Sequence, residues 1–225
     1  MAILVVQHED ECPPAWFGTW MTEAGATLDV RRPYAGDALP ADLTEHTGLL
    51  VLGGAMNAVD EEVTPWLVPA KALVRAAVAG AVPLLGICLG HQIAADALGG
   101  TVEVNPVGEQ RGLLPLGWTD AVDGDPVFGT RPVRAAHWNS DVVTKAPPGA
   151  TVLAVAPGGE VQALRLGERA WGIQSHPEVD EEILRLWTVQ EQVEATDFLA
   201  ETAAARTQLA ESWRPVATAF AALCD

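Results

Sequence analysis

Lysine is nearly missing from this chain: in 225 residues it occurs only as Lys71 and Lys145. With arginine the basic count is 13 against 30 Asp and Glu, a formal net charge of −17. A phosphate-binding surface needs clustered Lys and Arg, so nucleic acid is excluded as a partner class and the acidity serves solubility. Cysteine is scarce too. Cys12, Cys88 and Cys224 form no disulfide framework, which points to a reducing, cytoplasmic setting. No apolar run approaches the roughly 18 residues of a membrane span. The first run, Ala2 to Val6, is short for a signal peptide and has no basic segment before it. Neither G-x-G-x-x-G nor a Walker lysine motif occurs, so nucleotide cofactors are not expected by those routes, and no metal or other cofactor is expected. Internal repeats, low-complexity stretches and linkers are absent as well.

What is present is core-forming material: 49% of residues are hydrophobic, enough for a substantial interior. Ala2–Val6, Thr27–Val30, Gly48–Leu52 and Val82–Gly86 read as strands. Ala15–Ala24 and Pro65–Ala79 read as helices, the second capped by Thr64 with Pro65 in its first turn. Strands that are apolar throughout and separated by helices imply a parallel sheet covered on both faces. Beyond residue 100 the texture changes to short strands with Gly/Pro turns. These are expected over Thr101–Val104, Leu113–Trp118, Val133–His137, Thr151–Ala156, Val161–Leu166 and Ala170–Gln174. The segment from about 180 to 225 reads as helical, broken near Pro215. The expectation is one α/β domain over 1–225, with a mostly parallel central sheet flanked by helices.

At the carboxyl end of the fourth expected strand stands Gly86-Ile87-Cys88-Leu89-Gly90. G-x-C-x-G is the cysteine form of a strained strand-to-helix elbow that presents its central side chain as a nucleophile. The glycines permit close backbone approach. The helix that opens at Leu89 turns its positive end toward Cys88, and the Leu89 N–H can serve an oxyanion.

A thiol nucleophile needs a base and a group to orient it. In Gln174-Ser175-His176-Pro177-Glu178 an extended chain projects His176 and Glu178 to one side, and the carboxylate fixes the imidazole's tautomer. The other histidines are weaker candidates. His91 rides the elbow helix and is given a surface or supporting role. His8 lies in a polar loop whose spacing fits no standard zinc site, and His46 sits in a polar connection without an evident partner. Gly53-Gly54, after another strand, supplies further backbone N–H groups that can face Cys88.

Taken in order, these segments resemble the class I glutamine amidotransferases, in particular the branch similar to the glutaminase domain of GMP synthase. The resemblance runs from the first strand to the helix after Glu178. It implies a catalytic triad of Cys88, His176 and Glu178 and an oxyanion hole from Gly54 and Leu89. It also implies substrate contacts from Gly53, Gln92, Asn139, Ser140 and Asp141. Two departures stand out: Ala55 replaces the family's usual proline, and Asn139-Ser140 replace a histidine-glycine pair. The implied substrate is L-glutamine or a γ-glutamyl compound, and the implied partner an ammonia-accepting synthetase or ligase. The alternatives are a γ-glutamyl peptide hydrolase with the same triad, or a non-catalytic sensor or binding protein built on Cys88.

Overall fold

The computed structural model describes all residues, 1–225. Eleven strands and five α-helices follow one another as β1 (Ala2–Val6), α1 (Ala15–Glu23), β2 (Leu28–Arg31), β3 (His46–Val51), α2 (Leu67–Ala79), β4 (Leu84–Ile87) and α3 (Leu89–Ala97). Then come β5 (Thr101–Val104), β6 (Gln110–Pro115), β7 (Arg134–Asn139), β8 (Asp141–Lys145), β9 (Thr151–Val155), β10 (Val161–Gly167), β11 (Ala170–Ile173), α4 (Glu181–Glu191) and α5 (Thr196–Leu223). Nine strands form one sheet in the order β2-β1-β3-β4-β11-β10-β8-β5, with β9 paired to β10. Neighbours from β2 to β11 run parallel, and beyond β11 the pairing is antiparallel. β6 and β7 make a separate antiparallel pair.

The continuous apolar strands have a direct cause. Successive side chains point to opposite faces, and both faces are covered. Ile3, Val5, Leu50, Leu52, Leu85, Ile87 and Trp171 enter a cluster with Phe17 and Met21 of α1 and Trp213 and Phe220 of α5. Leu4, Val6, Leu49, Val51 and Leu84 enter the opposite cluster, with Leu67, Leu73 and Val74 of α2 and Ile93 of α3. The end of α5 is pressed onto β3: a Cβ on Gly48 would lie 3.3 Å from the Cys224 Cβ and closer still to its sulfur.

Three expectations are corrected. The C-terminal segment breaks at Gln192, whose φ of 55° ends α4, and not at Pro215, which lies inside α5. Proline in a helix interior costs about 3 kcal/mol. Here Pro215 faces solvent, and buried Trp213, Val216, Ala217 and Phe220 hold the helix through it. The second helix opens at Leu67, after a turn in which the Thr64 carbonyl accepts from Leu67 N at 3.0 Å, and no side chain caps it. β6 and β7 start and stop a few residues from their expected bounds, and β8 follows β7 after a single residue, Ser140.

Candidate active site

β4 ends at Ile87, and Cys88 takes φ 49°, ψ −106° before α3 begins. That conformation is costly for a side chain bearing a Cβ and persists only where the surroundings enforce it. The two flanking glycines let the surrounding backbone close in and hold it. A Cβ on Gly86 would sit 2.5 Å from the Gly90 carbonyl oxygen, and one on Gly90 would sit 2.0 Å from the Val51 carbonyl oxygen. The elbow is therefore wedged between its own helix and β3. Cys88 is 6% exposed, so it looks into a covered cleft.

Across the cleft, β11 ends and the chain passes through Gln174 to His176, whose N–H donates to the Ala136 carbonyl at 2.7 Å. The His176 Nδ1 lies 2.8 Å from Glu178 Oε1, with both side chains buried. Burial alone would lower the imidazole's pKa. The neighbouring Cys88 sulfur and the hydrogen-bonded Glu178 carboxylate override this and raise it to about 10. Trp187 of α4 packs edge-on to the His176 ring at 4.8 Å. Gly53 backs the ring closely, since a Cβ there would approach His176 Cε1 to 2.7 Å. The same test at Gly54 meets the Leu89 side chain at 3.0 Å, so the glycine turn after β3 and the start of α3 are in contact.

A cavity of about 320 Å³ opens on Cys88 and His176 and is lined also by Gly54, Gln92, Asn139, Ser140 and Asp141. Seven of the ten residues singled out from the sequence thus line one space. Gly53, Leu89 and Glu178 stand directly behind it. The Asn139-Ser140-Asp141 segment is a tight passage between β7 and β8. Asp141 Oδ2 accepts from Asn57 Nδ2 at 3.0 Å. Gln92 is held from within, donating to the Asp141 carbonyl at 2.8 Å and to Gln174 Oε1 at 3.2 Å.

Several residues in and behind the wall escaped the sequence reading. Gln174, fully buried, donates through Nε2 to the Cys88 sulfur at 3.6 Å. A signal for it existed, because it lies two residues before His176 and so projects to the same side of an extended chain. Glu9, Cys12, Trp138, Trp187 and Glu191 also line the cavity. Trp187 Nε1 donates to the Glu11 carbonyl at 2.9 Å and Trp138 Nε1 to Glu191 Oε1 at 2.7 Å, tying α4 across the cleft. Cys12 donates to Glu9 Oε1 at 3.1 Å. Burial, with that carboxylate beside it, holds the Cys12 thiol pKa well above the usual range.

Three histidine placements are corrected. His91 is no surface residue: it is fully buried, and a Cβ on Gly172 would press its ring. His8 is likewise buried, its Nδ1 accepting from Trp66 Nε1 at 3.1 Å. Desolvation lowers both to about 4. His46 opens β3 and has a partner, Asp29 Oδ2 at 3.0 Å.

Comparison with known proteins identifies the family. The class-I glutamine amidotransferase family model matches residues 21–185. The chain belongs to that family. It is 32% identical to the glutamine amidotransferase-like protein YfeJ of Salmonella typhimurium, over 79% of this chain and 76% of that one. It is 36% identical to GMP synthase of Pyrobaculum aerophilum, over 59% of this chain but only 24% of the synthase, so it spans about a quarter of that relative. Gamma-glutamyl peptidase 5 of Arabidopsis thaliana is 31% identical over 64% of this chain and 58% of the peptidase. Among solved structures, the glutamine amido transferase of Methylobacillus flagellatus superposes with a TM-score of 0.89 at 25% identity, covering 97% of this chain and 93% of that one.

Proposed function

We propose that this amidotransferase-family chain hydrolyses a γ-glutamyl amide through a thioester on Cys88. The observation that carries this reading is the convergence of a strained cysteine elbow with a buried His176–Glu178 pair in one cavity. The Cys88 sulfur attacks the γ-carbonyl carbon. The oxyanion is met by the Gly54 and Leu89 N–H groups, the latter at the positive end of α3. His176 gives its proton to the leaving nitrogen as the C–N bond breaks, while Glu178 orients and stabilises the imidazolium. Water, deprotonated by His176, then cleaves the thioester to free glutamate and the thiol. Gln174 holds the sulfur from the side opposite to solvent, and Asp141 is available to an α-ammonium.

L-Glutamine is the reference substrate. With it the product is ammonia, which a separate ligase or synthase subunit would accept, as the kinship with GMP synthase suggests. Three free thiols suit a reducing cytoplasm. A second reading, release of a larger amine, is favoured by the extension of the cavity past Cys88 to Trp138, Trp187 and Glu191. The test is glutamate release from L-glutamine and a panel of γ-glutamyl amides, with mass spectrometry of an acid-quenched sample. A γ-glutamyl adduct on Cys88, lost in Cys88→Ala, is expected. Turnover that survives Cys88→Ala rules the mechanism out.

A further inference from the structure

The cavity wall has a charge composition that free glutamine does not match. Glu9, Glu109, Asp141 and Glu191 line it, and no Lys or Arg does. They come from separate elements: the loops after β1 and before β6, the first residue of β8, and the last of α4. Arg111 reaches Glu109 and Glu191 from behind, bonding both, so one cation is shared between two carboxylates. Glu9 has only the Ala55 N–H and the Cys12 thiol as partners, and Asp141 only the Asn57 amide. Glutamine brings one ammonium and one carboxylate. If Asp141 meets the α-ammonium, Glu9 is left with neutral donors alone and Glu109 and Glu191 with one cation between them, and the α-carboxylate enters a field of its own sign.

An independent observation points to a hydrogen-bond donor. Asn139 lines the cavity at 6% exposure, and its Oδ1 is buried with no hydrogen-bond partner. Its Nδ2 is already directed at the Asp141 carbonyl, 3.3 Å away. A buried acceptor left unpaired is unfavourable until an N–H or O–H arrives. An alkylammonium satisfies both features, since it offers several donors and a positive charge.

We propose that the preferred substrates are γ-glutamyl amides whose leaving amine carries a second, positively charged amino group: γ-glutamyl derivatives of diamines or polyamines. This rests on the hydrolytic reading above and specifies its substrate class. Cys88 displaces the amine, His176 protonates the departing nitrogen, and the distal ammonium lies against Glu9, Glu109 and Glu191. A leaving group with a carboxylate at its far end is disfavoured by the same charges.

The experiment compares three γ-glutamyl amides of equal length, made from diaminopentane, pentylamine and aminopentanoic acid, alongside L-glutamine. Hydrolysis by the wild type is measured, and binding to Cys88→Ser is followed by calorimetry. We expect kcat/KM to be about tenfold higher for the diaminopentane compound than for the neutral one, and lowest for the acid. That ratio should shrink in high salt and in Glu109→Gln and Glu9→Gln. Equal rates for the cationic and neutral amides, with hydrolysis intact, overturn the substrate class and leave the thioester reading standing. If nothing is cleaved but Cys88→Ser binds the cationic amide preferentially, the hydrolytic reading falls and the charge selectivity stands. Absence of both cleavage and selective binding overturns both.

Discussion

The cavity has two kinds of wall. On one side no added methyl group fits without displacing a neighbour, since Gly86 and Gly90 of the elbow meet backbone and Gly53 and Gly54 meet packed side chains, and the His176–Glu178 pair is buried beside them. On the other, Asn139 to Asp141, Glu109 and the end of α4 are held by side-chain bonds, among them Trp138–Glu191 and Asn57–Asp141, and Ser140, Glu109 and Glu191 are exposed. The first wall has no slack, because the proposed chemistry tolerates none: misplacement by an ångström costs orders of magnitude. The second can change residue by residue without disturbing the sheet. Bond-breaking and selectivity are therefore placed in parts of the fold with different tolerance to substitution.

The largest effect should come from the rigid wall. Glu178→Gln keeps the size of the side chain but removes the charge that favours a protonated His176. Turnover should fall by roughly 10²–10⁴, as for other triad orienters, or up to about 5.5 kcal/mol of barrier. Circular dichroism should stay unchanged. Turnover within a few-fold of wild type would reduce Glu178 to a structural partner and erase the contrast between the walls.

Acid should loosen the chain next. His8 and His91 pack behind the rigid wall and His137 behind the other. Desolvation lowers all three from 6.5 to about 4, with the positive charge of His176 adding to the effect at His137. Above pH 6.5 these rings are neutral folded or unfolded, so the stability is fully present. Between pH 6.5 and 4 the unfolded chain takes up protons that the folded chain refuses, and stability is lost at up to about 4 kcal/mol per pH unit. His176, raised from 6.5 to about 10, acts the other way: its contribution is nearly complete below pH 6 and is lost only as pH rises from 6.5 towards 10. Urea midpoints at pH 7, 6 and 5 give the measurement. A flat profile would mean that these rings accept protons in the folded state.

The same division explains what the sequence revealed. Cys88 with its glycines and His176 with Glu178 are local patterns, because strain and shared projection are imposed by near neighbours. Trp187 reaches Glu11 across 176 positions, and Glu191 reaches Trp138 across 53; such pairings leave no trace in a short window. His8 and His91 misled because a buried neutral imidazole looks like a polar one in sequence. The helix stop at Gln192 was hidden because the left-handed position that glycine usually fills holds glutamine. Pro215 gave a breaker signal that Trp213 and Phe220 overrode by packing.

The smallest effect belongs to the adjustable wall and concerns Asp141. The resemblance to the family implies a substrate contact from it, while Asn139 and Ser140 replace a histidine-glycine pair. Its carboxylate already accepts from Asn57, and an asparagine can keep that bond through its own oxygen, so the fold should not notice Asp141→Asn. What disappears is the charge. A hydrogen bond from an α-ammonium to a carboxylate contributes about 1.5–3 kcal/mol, so KM for a substrate with a free α-amino group should rise roughly 10- to 150-fold. A contact remote from the breaking bond holds ground state and transition state alike, so kcat should change little. The α-N-acetyl derivative has no ammonium to lose and serves as the control: its KM should be poor in the wild type and hardly worse in the variant. If both substrates respond equally, Asp141 does not read the α-amino group. In that case the acidic wall serves the leaving amine alone, and the difference between the two walls lies between the acyl and amine ends of the substrate.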